Sequence, residues 1–178
     1  MNSPIVETTF SELRKVKRLA DQAIEQLDDE QLWTRIDPES NSVAVVMRHM
    51  AGNMRSRWTD FRTTDGEKPG RHRDQEFEDI ALTRSALLAE WDSGWQCVFD
   101  AMSSLTDAEL QDTIYIREEP HTIYRAIVRQ IVHYAGHAYQ ILALGKHLKG
   151  PEWKSLSIPR GKSEEMNQRL LAEQRARR

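Results

Sequence analysis

The sequence predicts an all-α protein, a four-helix bundle with one long crossover connection and a short C-terminal helix. Two patterns carry this: apolar residues return at helical spacing in four long stretches, and strand-like alternation is almost absent. The chain's 178 residues, 39 % of them hydrophobic, are enough to close one core, so residues 1–178 read as a single domain.

The first helix is seeded by Phe10, Leu13, Val16, Ala20, Ala23, Ile24 and Leu27. A second starts after Asn41 and Ser42, both good N-caps, and carries Val43, Val46, Met50, Met54 and Phe61 on one stripe. The third runs through Leu87, Leu88, Trp91, Trp95, Val98, Met102 and Leu105. The fourth spans 122–148 and stops at Gly150-Pro151. A short fifth is expected over 163–173, after an irregular linker at 153–160.

A weak repeat links the halves. Leu27-Asp28-Asp29-Glu30-Gln31-Leu32 closes the first helix and Leu105-Thr106-Asp107-Ala108-Glu109-Leu110 the third, the second copy being a capping box of Thr106 with Glu109. Each copy introduces a loop and then a histidine-bearing helix, as two helical hairpins related by a pseudo-two-fold axis would. Between the hairpins, 62–79 is charged and carries turns at Asp65-Gly66 and Pro69-Gly70. It is longer than most helix connections, so it is expected to cross the bundle's length. Ile114 and Ile116 mark a brief extended segment over 112–117.

Charged residues are 30 % of the chain but nearly balanced, leaving −3, which argues against nucleic acid or an anionic membrane as main partner. The basic end, Arg175, Arg177 and Arg178, reads as a solvated tail. A lone Cys97 cannot form an internal disulfide, and the N-terminus lacks a secretory pattern, so a cytoplasmic location is expected. No stretch reaches the roughly 20 apolar residues of a membrane span.

The sharpest local signal is His133-Tyr134-Ala135-Gly136-His137. Histidines four apart on a helix stack on one face, with Cβ atoms about 5–6 Å apart, and one ion can reach both. From 130 to 145 there is no formal charge, so this part of the helix is expected to be buried nearly all round. The pair borders the stripe of Ile127, Ile131, Tyr134, Ile141 and Leu142. His49, at the edge of the Val46, Met50 and Met54 stripe, supplies a third donor from another helix. Three imidazoles leave coordination positions open, as in catalytic rather than structural zinc sites. The alternative is three core histidines satisfied by carbonyls or water. His147 lies about 15 Å beyond His137 along the axis, too far to share an ion. His72 and His121 sit in polar connections and are expected to be solvated.

His49 within Met47-Arg48-His49-Met50-Ala51-Gly52-Asn53, the His133/His137 pair, and the tail Leu156-Ser157-Ile158-Pro159-Arg160-Gly161-Lys162-Ser163 resemble the DinB/YfiT-like superfamily. The resemblance covers essentially the whole chain and is nearest to a branch classed as a domain of unknown function. It implies a four-helix bundle of crossover-containing topology, often dimeric, that binds one divalent ion, zinc or nickel foremost, through histidines at positions 49, 133 and 137. Similar proteins include low-molecular-weight thiol transferases, thiol-dependent isomerases and hydrolases, all acting on small molecules.

Metallopeptidases with a His-Glu-x-x-His helix carry a general-base glutamate after the first ligand, where this chain has Tyr134. A thiol needs no such base, because coordination deprotonates it. Transfer of a small thiol to an electrophile is therefore favoured over hydrolysis, with a non-catalytic metal- or ligand-binding bundle as a third reading. Asn53, Gln130 and Gln140 are placed to orient rings or substrate, or are ordinary polar residues of the bundle. Tyr134 and Cys97 read as packing residues. Trp91 and Trp95 read as core, and Trp33, Trp58 and Trp153 as lining a mouth or interface. Segment 151–178, with Trp153, Leu156, Ile158, Leu170 and Leu171, should pack on the bundle or on a second copy in a homodimer.

Overall fold

The computed structural model describes residues 4–80 and 82–176; Arg177 and Arg178 of the basic tail lie outside them. Among the described residues the chain is mainly helical, with α1 (Pro4–Ile24), α2 (Asp29–Trp33), α3 (Val43–Trp58), α4 (Arg84–Ser103), α5 (Ile123–Lys149) and α6 (Ser163–Ala176). A small antiparallel hairpin, β1 (Thr113–Ile116) and β2 (Glu119–Thr122), precedes α5. No helix among the described residues is long and apolar enough to cross a membrane.

Helix starts follow local chemistry. The side chains of Ser42, Thr83 and Thr122 accept hydrogen bonds from the N–H groups of Val45, Ala86 and Arg125, satisfying donors that a first turn leaves free. α5 ends where Gly150 takes a φ of 54°, which a side chain would resist. Both copies of the repeat are capping boxes. Asp28 and Gln31 exchange backbone and side-chain hydrogen bonds at 2.8 and 3.1 Å, so the first copy nucleates the short helix α2 where a loop was expected.

The four long helices enclose one core. α1 packs on α5, α5 on α3, α3 on α4, and α4 on α1. Phe10 meets Phe99, Lys17 pairs with Asp92, and Arg84 donates to the carbonyl of Ile24, so α1 and α4 are antiparallel. Arg62, just past α3, bonds Ser104 at the end of α4, so α3 and α4 run the same way. The connection between them must therefore return along their length. It does so against α3, where Arg48 donates to the carbonyls of Gln75 and Glu78. The return ends in a 3-10 turn, Arg73–Phe77, packed on α3. At the core's centre Trp91, Trp95, Phe99 and Tyr134 form edge and stacked ring contacts, and Trp91 Nε1 donates to Asp21.

Three expectations need correction. His121 is 4 % exposed rather than solvated, because it faces Ile114 across the hairpin, on the side turned to the core. Trp58 lines no mouth; it is buried, and its Nε1 donates to the Tyr134 hydroxyl at 3.0 Å. Trp153, expected at a mouth or interface, packs with Leu156 against the core, while no residue of α6 is buried and Leu170 and Leu171 are exposed. The uncharged stretch of α5 is not buried all round. Val132 and Tyr139 are 69 and 62 % exposed, and with Tyr124 and Val128 they make an apolar outer stripe, since absence of charge constrains polarity and not burial.

Candidate metal centre

α3 and α5 cross so that His49 meets His133 and His137. One ring nitrogen from each lies within 4.8 Å of the other two. The His133 and His137 Nε2 atoms face each other at 3.1 Å, and the His49 ring sits 5.5 and 5.1 Å from theirs, centroid to centroid. Two imidazoles on one tetrahedral ion, with bonds of about 2.0–2.1 Å, have nitrogens about 3.4 Å apart, so the donor set fits a single divalent ion.

Hydrogen bonds at the outer nitrogens select tautomers that suit such an ion. His137 Nδ1 donates to Gln140 Oε1 at 2.9 Å, and His49 Nδ1 donates to Glu76 Oε2 at 2.9 Å, so Nε2 is the ring nitrogen each has available for an ion. Burial, and then the neighbouring His137 and His49, push the His133 imidazole down to about 3. Burial also lowers His137, against the pull of Gln140. Both rings are therefore neutral at neutral pH, the form that binds metals.

Glu76 arrives from the 3-10 turn. Arg71 grips both its oxygens, with Nε and Nη2 each at 2.8 Å. Burial pushes the Glu76 carboxyl up, but hydrogen bonds from Arg71 and His49 outweigh it, and it stays below its ordinary value. Phe77, next in the turn, covers the His49 ring at 4.7 Å. A glycine one turn on in α3 leaves room for this placement of the carboxylate: a Cβ at Gly52 would stand 2.1 Å from Glu76 Oε1.

Of the other residues singled out from sequence, Gln140 bonds His137, whereas Asn53 Oδ1 accepts from the Tyr134 hydroxyl at 3.3 Å rather than from a histidine. Gln130 is 3 % exposed, and its Oε1 has no partner among the described residues. Asn53 and Gln130 line a cavity of about 220 Å³ that opens beside His49 and His133. Tyr134 is wholly buried between Trp58 and Asn53, and burial raises its phenol well above the ordinary value, so it keeps its proton. Cys97 packs at the core's edge. The sequence reading missed Glu76, Arg71 and Gly52. The one available signal was Gly52 itself, a glycine inside a helical pattern that implies close approach by something.

No curated protein and no solved structure matches the chain. The family model described as "Protein of unknown function (DUF1572)" matches residues 1–162, which include all three histidines and Glu76, and the chain therefore belongs to the DUF1572 family.

Proposed function

We propose that this protein is a metal-dependent transferase that moves a small thiol onto an electrophilic carbon, and that its fold is a four-helix bundle of the DinB/YfiT-like type. The observation that carries the reading is the convergence of three imidazoles, two of them held neutral by burial, beside a cavity. A closed structural site would offer four protein donors and no such opening. A divalent ion, zinc or nickel, held by His49, His133 and His137 would supply Lewis acidity that keeps a thiol deprotonated at neutral pH.

The chain's own residues favour transfer over hydrolysis. A general base assists attack by water, and no carboxylate lines the cavity. Glu76, the nearest acid, is committed to His49 and Arg71 and is held in its ionised, weakly basic state. The ring-like packing of α1, α5, α3 and α4, with the long return between parallel helices, supports the fold assignment.

The test is turnover of 1-chloro-2,4-dinitrobenzene with a small thiol by protein loaded with zinc or nickel. A carbon–sulfur bond forms, the carbon–chlorine bond breaks, and chloride and the thiol proton leave to solvent. Turnover above the uncatalysed rate is expected, abolished by chelator and by His49→Ala, with the chelated wild type and variant melting alike. A rate no faster than the uncatalysed one would defeat the transferase reading, and metal-dependent cleavage of a nitrophenyl ester in its place would favour hydrolysis.

We also propose a homodimer formed through the outer stripe of α5. Tyr124, Val128, Val132 and Tyr139 fall at helical spacing on one exposed face, a contiguous apolar surface that monomers rarely leave in water. Sedimentation at micromolar concentration is expected to show a dimer that Val132→Glu converts to monomer; a wild-type monomer would rule this interface out.

A further inference from the structure

Arginines from four parts of the fold converge on the cavity beside the histidines. Arg57 comes from α3, two turns beyond His49; Arg71 and Arg73 come from the return segment, Arg117 from the β1–β2 turn, and Arg129 from α5, one turn before His133. The cavity lining holds these five arginines and no carboxylate.

The arginines are only partly neutralised from behind. Glu67 alone serves three of them, at 3.1 Å from Arg57, 3.3 Å from Arg71 and 3.0 Å from Arg117, and Arg71 shares Glu76. Arg73 has only Asp74, at 4.0 Å on a side chain wholly in solvent, and Arg129 has no acidic partner among the described residues. Burial pulls the Arg57 guanidinium below its ordinary value; Glu67 opposes this, and the like charges of Arg71 and Arg129 add to it. Two of the lining residues also carry a buried polar atom, Arg57 Nε and Gln130 Oε1, with no hydrogen-bond partner among the described residues. An unpaired donor on a guanidinium that is 5 % exposed is costly, and an anion beside it would offset part of that cost through the guanidinium's charge.

Arg117 is also deliberately placed. It and Glu118 sit at φ 56° and 62°, and their N–H groups both donate to the Asp65 carboxylate, at 2.8 and 2.7 Å. The return segment therefore holds the hairpin turn in a left-handed conformation that non-glycine residues resist, and this sets Arg117 at the cavity's edge.

We propose that this cavity is a subsite for a small dianion, a molecule carrying two carboxylates or a phosphate, whose other end reaches the three histidines. Guanidinium groups recognise both anions through paired N–H donors. At about 220 Å³ the cavity lies below the roughly 300–1,000 Å³ of drug-sized ligand sites, which suits a small anion or the charged end of a larger molecule. The inference deepens the transferase reading, resting on it only for what happens at the reactive end.

Isothermal titration with succinate, inorganic phosphate and uncharged succinamide tests it, on wild type and on Arg117→Asn/Arg129→Gln, with zinc content measured on the same samples. Asparagine tolerates the left-handed position, and both arginines are exposed, so this variant should fold; Arg129→Gln alone provides a milder version. At least one dianion should bind about tenfold or more tightly than succinamide, and the double variant should erase about a tenfold share of that. Binding should also weaken as salt rises from about 0.05 to 0.5 M. Tighter binding of succinate or of phosphate identifies the anion class. Equal affinity for succinate and succinamide, or indifference to both substitutions, overturns the subsite. Zinc uptake without dianion binding defeats the subsite alone, whereas arginine-dependent dianion binding without zinc uptake defeats the transferase reading and leaves the subsite standing.

Discussion

Replacing His133 by alanine is expected to lower zinc or nickel affinity by more than about 100-fold, so that a protein taking up about one equivalent retains almost none after dialysis. The argument is geometric. His133 Nε2 faces His137 Nε2 at 3.1 Å, and the remaining pair of imidazoles comes from two helices with no other donor among the described residues close enough to replace it. Metal content by elemental analysis, on protein made without a histidine tag, reads the effect. Glu76→Gln should act in the same direction but less, by about 10–100-fold, because it removes no ligand and weakens the hydrogen bond that orients His49 together with the Arg71 clasp on that carboxylate. The half-buried His133 is not a core keystone, so the chelated variant should melt close to wild type. Full metal retention in His133→Ala would show that the ion binds elsewhere.

Gly94→Val is expected to destabilise the fold by about 2–3 kcal/mol, a fall in Tm of roughly 4–12 °C for a chain of this size. α3 and α4 approach closely where Gly94 faces Ala51. A Cβ at Gly94 would stand 2.7 Å from the Ala51 Cα and 3.2 Å from its carbonyl oxygen. Backbone cannot rotate aside as a side chain can, so the helices must separate, and His49, half a turn before Ala51, must move with α3. Gly136→Ala provides the contrast. Gly136 is also inside a helix, but a Cβ there meets nothing within 4 Å, and alanine should stabilise α5 by about 0.5–1 kcal/mol. Thermal or urea unfolding of the two variants checks both signs. Equal shifts would mean that α3 and α4 do not meet at Gly94.

The opposite expectations for two helical glycines show where local pattern stops. Gly94 and Gly136 look alike in the sequence, each amid apolar residues at helical spacing, and only the approach of α3 separates them. The four long helices were legible because each carries its own periodicity and its own cap, as Ser42 and Thr122 do, and caps act within one turn. His133 and His137 are joined by one helix, so their shared face follows from 3.6 residues per turn. Their meeting with His49 was inferred from its position at the edge of an apolar stripe and from the family resemblance.

What the sequence by itself determined was thus the part built from short-range periodicity: the order of the four long helices, caps such as Ser42, the return segment, and two histidines on one face. Tertiary structure alone decided the rest. Glu76 reaches His49 across 27 positions through the gap left at Gly52, five arginines from four elements share one cavity, His121 turns inward, and the uncharged face of α5 divides into a buried side and an exposed stripe. The physical reason is that helical periodicity and capping are set by neighbours three or four residues away. The partner of a carboxylate or guanidinium depends on which helices pack together, and charged side chains in a connecting segment carry no periodic mark of the element they will meet.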